Sequence, residues 1–166
     1  NYYNRFYFVH PDGAVQHYDK KHLFTFGGEH KRFTAGTERV VVNFRGVRIL
    51  LEVCYDLRFP VWSRNLGDYD MILYVASWPT PRVDAWSALL RARAIENQCY
   101  VAGVNRMGVD PACEYSGGSA IIDPYGKTIA ECPWSRESAV SADIDMEALQ
   151  AFRKKFPVLD DADPFT

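Results

Sequence analysis

The chain has no large charge imbalance, no long apolar run and no paired cysteines, and each absence removes a class of function. Its 19 Lys and Arg stand against 21 Asp and Glu, a net charge of −2. No basic excess is present of the kind that nucleic acid or an anionic membrane surface selects. No apolar stretch approaches the length of a membrane span. The four cysteines, Cys54, Cys99, Cys113 and Cys132, form no CxxC pair and no metal-ligand spacing. They read as reduced thiols in a cytoplasmic protein. The sequence opens without Met directly into strand-like residues, as a piece of a longer protein would, and its first glutamate is Glu29.

What is present is an ordinary globular composition, 48% hydrophobic, in 166 residues, enough for one domain with a real core. The aromatic share of 14% is high. It suggests a pocket or an interface, although core packing accounts for aromatics as well.

Arg5–Val9 and Ala14–Lys20 read as strands around a His10–Pro11–Asp12–Gly13 turn, and Arg39–Phe44 and Val47–Val53 as a second hairpin around Arg45–Gly46. Met71–Ala76 is a buried strand. Asp84 can N-cap a helix to about Asn97 with Trp86, Leu89, Leu90 and Ile95 on its apolar side, followed by a strand at Cys99–Asn105. Strand, helix, strand is a βαβ unit. Gly108–Gly118 reads as a loop, Ser119–Ile122 and Lys127–Ala130 as a hairpin, and Ser138–Ile144 as a further strand. Asp145 caps a short helix, and Phe156–Thr166 reads as an extended arm. The class is α/β with mixed sheets, and it has few helices to cover so much strand.

The stretch LLEVCYDLRFPVW carries the chemistry. An apolar strand delivers Cys54 to its C-terminal end, and the chain turns toward a short helix, Val61–Leu66. Backbone N–H groups and a helix start favour thiolate over thiol, and thiolate is the nucleophile. The plainer reading is a small buried hydrophobe. A nucleophile also needs a base and oxyanion donors. None of His10, His17, His22 and His30 can be assigned to Cys54, and each reads as a surface residue. In YDKKHLF an inward lysine could stabilise both thiolate and oxyanion, whereas two solvated lysines at a strand end are the simpler expectation. Without a second cysteine placed to resolve Cys54, a redox thiol protein is disfavoured.

YDKKHLF, GGEHKRFTAG, EVCYDLRFPVWSRN, RARAIENQCYVAGVNR and YSGGSAIIDPYGK, in this order, resemble the carbon–nitrogen hydrolase (nitrilase) superfamily, most nearly its omega-amidase branch. The similarity runs from about Tyr2 to Phe165. It implies a four-layer αββα sandwich, a homodimer or higher homo-oligomer, no cofactor, and a glutamate–lysine–cysteine triad. Cys54 matches the nucleophile, Lys20 the catalytic lysine and Glu29 the second glutamate, which helps position substrate and lysine. Tyr55 would offer a backbone N–H to the oxyanion. Trp78 would wall the cavity or belong to the core. Arg58 would bind a substrate carboxylate or pair with Asp56. Glu52 reads as a hydrogen-bonded buried carboxyl, and Asn105 and Arg106 as mouth residues.

The implied substrates are small carboxamides, such as the omega-amides 2-oxoglutaramate and 2-oxosuccinamate, or the carbamoyl-amides or aliphatic amides of another branch. One departure matters. The family's general-base glutamate precedes the lysine motif, and no glutamate precedes Lys20. Residues 1–166 therefore correspond to the C-terminal two-thirds of a family member. Without the base, little turnover is expected, and a non-catalytic binding module becomes the alternative.

Overall fold

The computed structural model describes residues 1–163. Six strands form its central mixed sheet: β3 (Val41–Phe44), β4 (Val47–Val53), β5 (Met71–Ala76), β6 (Tyr100–Asn105), β9 (Ala120–Ile122) and β10 (Thr128–Glu131). Their order is β10-β9-β6-β5-β4-β3. β4, β5 and β6 run parallel, with Leu50, Ile72 and Val101 in one row and Val53, Val75 and Val104 in another. The outer strands are antiparallel. β1 (Arg5–Val9) and β2 (Val15–Asp19) make a separate antiparallel ribbon. β7 (Met107–Val109) and β8 (Glu114–Ser116) make another.

Side chains alternate across a pleated strand, so parity assigns the two faces. Leu50, Ile72, Tyr74 and Val101 point to one side and pack with Trp86, Leu90 and Ala94 of helix α2 (Val83–Glu96). Ile49, Leu51 and Val53 point to the other, where Tyr18, Phe6 and Phe8 of the ribbon cover them. Gly103 of β6 lies directly against helix α2. A Cβ there would lie 2.6 Å from Leu90 Cδ1 and 2.8 Å from Trp86 Cζ2, so only glycine fits.

The mixed α/β class is as the sequence implies. Of the four implied layers, the described residues build three: helix, sheet and ribbon. The ribbon lies over β4, while Met71, Leu73 and Val75 of β5 are only partly buried and Val104 of β6 is half exposed.

Several local expectations are corrected. The short helix α1 is Pro60–Ser63, one turn rather than six residues. Asp84 lies in the first turn of α2, and Arg82 is the capping position, because a 3-10 turn at Thr80–Arg82 runs straight into the helix. Ile95 is 54% exposed, and the inner face carries Arg93 instead, whose guanidinium donates to the Leu57 carbonyl at 2.5 Å. The Gly108–Gly118 loop contains the β7–β8 hairpin. The 138–144 segment forms no strand, since it meets no partner strand among the described residues.

Asp145 does cap its helix, α3 (Met146–Lys155), accepting from Ala148 N at 2.8 Å. In the expected arm, Val158–Asp161 forms a 3-10 turn, and its last three residues lie outside the described ones.

Candidate active site

β4 and β5 end side by side, and their C-terminal ends form the floor of a cleft of about 870 Å³. Parallel sheets place ligand sites at such ends. Cys54 follows β4 and Ser77 follows β5, and the thiol lies 3.8 Å from the Ser77 carbonyl. Cys54 has φ +49, a left-handed conformation that a non-glycine residue adopts only when its surroundings impose it. The chain then makes a 3-10 turn, Cys54–Arg58, and Tyr55 N–H is among its first, internally unpartnered donors.

The turn is held by Asp56, which is fully buried. Its carboxylate accepts from Val53 N at 3.1 Å, Tyr18 OH at 2.8 Å and His22 N at 2.9 Å, and His22 Nδ1 lies 2.9 Å away. One carboxylate thus ties the Cys54 turn to the end of β2 and to the segment after it. Tyr18 OH also accepts from Trp62 Nε1 and Lys21 N, each at 3.1 Å. His22 stacks on Phe59 with ring centroids 3.7 Å apart, so it is a structural residue of this junction rather than a surface histidine.

Lys20 follows β2 and is 3% exposed, which replaces the picture of two solvated lysines. Its N–H donates to the Asn4 carbonyl and its carbonyl accepts from Gly36 N, both at 2.9 Å. Gly36 passes so close to β2 that a Cβ there would lie 2.0 Å from the Asp19 carbonyl oxygen. Lys20 Nζ donates to Glu29 Oε2 at 2.7 Å. Glu29 also accepts from Phe24 N at 2.6 Å and Asn4 Nδ2 at 2.8 Å. Burial alone would raise the Glu29 carboxyl, but the Lys20, Asn4 and Phe24 hydrogen bonds outweigh it and hold it below the usual carboxylate range. Lys21, by contrast, lies over the Trp62 ring.

Cys54, Lys20, Glu29, Tyr55, Trp78 and Arg58 all line the one cleft. Trp78 is both wall and core. It is 3% exposed, packs on Trp86, and is fixed by Trp78 N donating to Asn105 Oδ1 at 2.7 Å and Nε1 donating to the Arg82 carbonyl at 2.7 Å. Arg58 does not pair with Asp56, whose oxygens are taken. Its guanidinium lies 5.0 Å from the Trp78 ring centroid. Asn105 is buried behind Trp78, and Arg106 pairs with Asp110 at 3.5 Å, so neither lines the mouth.

The thiolate expectation also changes. Burial pushes the Cys54 thiol up, and the Lys20 charge opposes that only in part. Helix α1 is a single turn that cannot compensate. Loss of the proton therefore requires an acceptor, and Glu29, the one carboxylate lining the cleft among the described residues, is engaged by Lys20. Cys113 also lines the cleft, although all four cysteines are free. Among the described residues, no cluster of three or more His, Cys, Asp or Glu could hold a metal, and no helix is long and apolar enough to cross a membrane.

Behind the site, Glu52 is completely buried. Ser63 Oγ donates to its Oε2 at 2.9 Å, while Oε1 has no partner among the described residues. Burial, followed by the nearby Asp56 charge, pushes the Glu52 carboxyl up to about 8, against hydrogen bonds from Tyr74 and Ser63 and the charge of Arg93. The native state then holds a proton that the unfolded chain, with the ordinary value of 4.5, releases. Stability is full below 4.5 and should fall by about 1.4 kcal/mol per pH unit up to about 8. Urea titrations at pH 5 and 8 are expected to show this loss and to show it largely removed in Glu52→Gln. An equal pH slope in that variant would refute the assignment.

Comparisons with known proteins give the family. The carbon-nitrogen hydrolase family model matches residues 1–154. The chain is 55% identical over 163 residues to "Omega-amidase YafV" of Escherichia coli (strain K12), covering 98% of this chain and 64% of that protein. It is 41% identical over 162 residues to "2-oxoglutaramate amidase" of Bacillus subtilis (strain 168), covering 96% and 62%. A CN-hydrolase superfamily protein of Xanthomonas campestris, solved with an arsenic adduct in its active site, superposes with TM-score 0.95 at 48% identity, over 99% of this chain and 65% of that one. The chain belongs to the carbon–nitrogen hydrolase family. It spans a little under two-thirds of the length of these relatives.

Proposed function

We propose that the protein hydrolyses small carboxamides to carboxylic acid and ammonia, with omega-amides of 2-oxo dicarboxylic acids as substrates, in a reducing compartment such as the cytoplasm. Cys54 Sγ attacks the amide carbonyl. Lys20 Nζ and Tyr55 N–H hold the oxyanion, and Glu29 keeps Lys20 aimed and charged. Ammonia leaves with the proton taken from the thiol, giving a thioester. Water then attacks the thioester, and the acid leaves as the thiol is restored. Both steps need a base; the Glu29 carboxylate is bound to Lys20, and the family resemblance implies a further glutamate in that role. Two relatives carry omega-amidase and 2-oxoglutaramate amidase names.

The observation that carries the reading is Lys20 buried against Glu29 in the same cleft as a left-handed Cys54. The anionic substrate class is supported by the charge of the cleft. Lys20, Arg58 and Arg82 line it against the single carboxylate of Glu29, in a chain whose net charge is −2. The test is ammonia release by the protein at its full encoded length. We expect kcat/KM for 2-oxoglutaramate to exceed that for uncharged butyramide by roughly tenfold or more, the value of one charge-assisted hydrogen bond. Equal or reversed preference would overturn the substrate class.

A further inference from the structure

We propose that Arg82 is a second substrate-binding residue, which closes with Arg58 on the carboxylate of the amide substrate and so sets specificity. This deepens the amidase reading and rests on it. Arg82 stands on the turn that leads from Trp78 into α2, and it lines the cleft. Its guanidinium lies 5.4 Å from the centroid of the Phe24 ring, just as Arg58 lies over Trp78. Phe24 is itself placed by the site, because its N–H donates to Glu29 Oε2 and its ring packs edge-on against Tyr55.

Both guanidiniums therefore have an aromatic seat and no carboxylate among the described residues. That sets them apart from Arg5, Arg39, Arg48, Arg93, Arg106 and Arg153, each of which holds an Asp or Glu. A guanidinium without a counter-ion at the wall of a concave site is matched by a planar anion from outside, and the fork geometry selects a carboxylate. The backbone on both sides of Arg82 is fixed. Its carbonyl accepts from Trp78 Nε1, and its N–H donates to the Pro79 carbonyl at 3.0 Å. The side chain thus leaves a rigid root, which keeps the entropic cost of binding small. Two arginines and one substrate carboxylate also explain how a short amide is oriented end to end. The anion lies at the guanidiniums and the amide lies at Cys54.

The experiment compares Arg82→Met and Arg82→Lys with wild type in the full-length protein. With 2-oxoglutaramate, KM is expected to rise at least tenfold in Arg82→Met and less in Arg82→Lys, while kcat/KM for butyramide stays within about twofold. In a Cys54→Ala background, calorimetry should show 2-oxoglutarate binding weakened by the same factor in Arg82→Met. Equal losses on the charged and uncharged amides, or unchanged 2-oxoglutarate binding, would overturn the role of Arg82. If the wild type hydrolyses no amide yet binds 2-oxoglutarate in an Arg82-dependent way, the anion site stands and the amidase reading falls.

Discussion

Replacing Cys54 by alanine is expected to reduce ammonia release from 2-oxoglutaramate to the uncatalysed level, a loss on the order of 10⁴-fold or more. The size follows from the proposed mechanism, in which Cys54 forms the thioester. Cys113 also lines the cleft, but on the β7–β8 hairpin, away from the Cys54 turn that offers the Tyr55 N–H. The turn itself should survive the substitution. It is held by Asp56, Tyr18 and Val53 rather than by the sulfur. Unchanged urea unfolding beside abolished turnover would separate chemistry from folding, and wild-type release by Cys54→Ala would sink the mechanism.

A second readout is alkylation. Iodoacetamide should label Cys54 before Cys99 and Cys132, because Cys54 lines the cleft while the other two are buried. The rate should still climb through the ordinary thiol value of 9.0, since burial raises the Cys54 thiol.

How much of this was legible in the sequence differs between the strands and the site. β4 and β5 could be read because they are dense in strand-forming apolar residues, Ile49, Leu50 and Leu51 in β4 and Met71 to Val75 in β5. The Val61–Leu66 helix could not, because what ends α1 after one turn is tertiary. Ser63 turns inward to Glu52, and Asn65 is held by Asn97. Ile95 misled for a related reason. Periodicity placed it inward, but Arg93 occupies the inner face in order to reach the Leu57 carbonyl behind the nucleophile turn.

Within the site, Cys54 announces itself by its elbow and YDKKHLF offers an inward lysine, but the choice of Lys20 over Lys21, and Glu29 altogether, came through resemblance. A buried lysine at a strand end looks like a solvated one until its partner is known, and that partner lies nine residues away across a glycine loop. Asn4, Phe24, Asp56 and Arg82 were missed. Asp56 sits inside the CYDLRFP motif, where a carboxylate two residues after a nucleophile was a usable signal. Asn4 and Arg82 reach the cleft through turns that no periodicity encodes.

Lys20→Met tests the other half of the site, and two linked effects are expected. Turnover should fall by about 10²- to 10³-fold, the cost of removing one oxyanion donor. Cys54 alkylation should also slow at fixed pH, because the Lys20 charge is what opposes the upward push of burial on the thiol. The fold should suffer as well. Lys20 is 3% exposed and its ion pair with Glu29 is largely desolvated, so removing one partner leaves a carboxylate in a site built for an ion pair.

The cost is bounded because Asn4 Nδ2 and Phe24 N still donate to Glu29. With Lys20 gone, the hydrogen bond that does most to hold Glu29 down is lost, and its carboxyl rises. In wild type the lowered carboxyl contributes stability that is present above the unfolded value of 4.5 and lost as pH falls through the folded one. That acid-side loss should shrink in Lys20→Met. Adding Glu29→Gln should then recover most of the stability at neutral pH and none of the turnover. Recovery of both would assign the pair to folding alone, and recovery of neither would mean that the lost stability does not come from the uncompensated Glu29 charge.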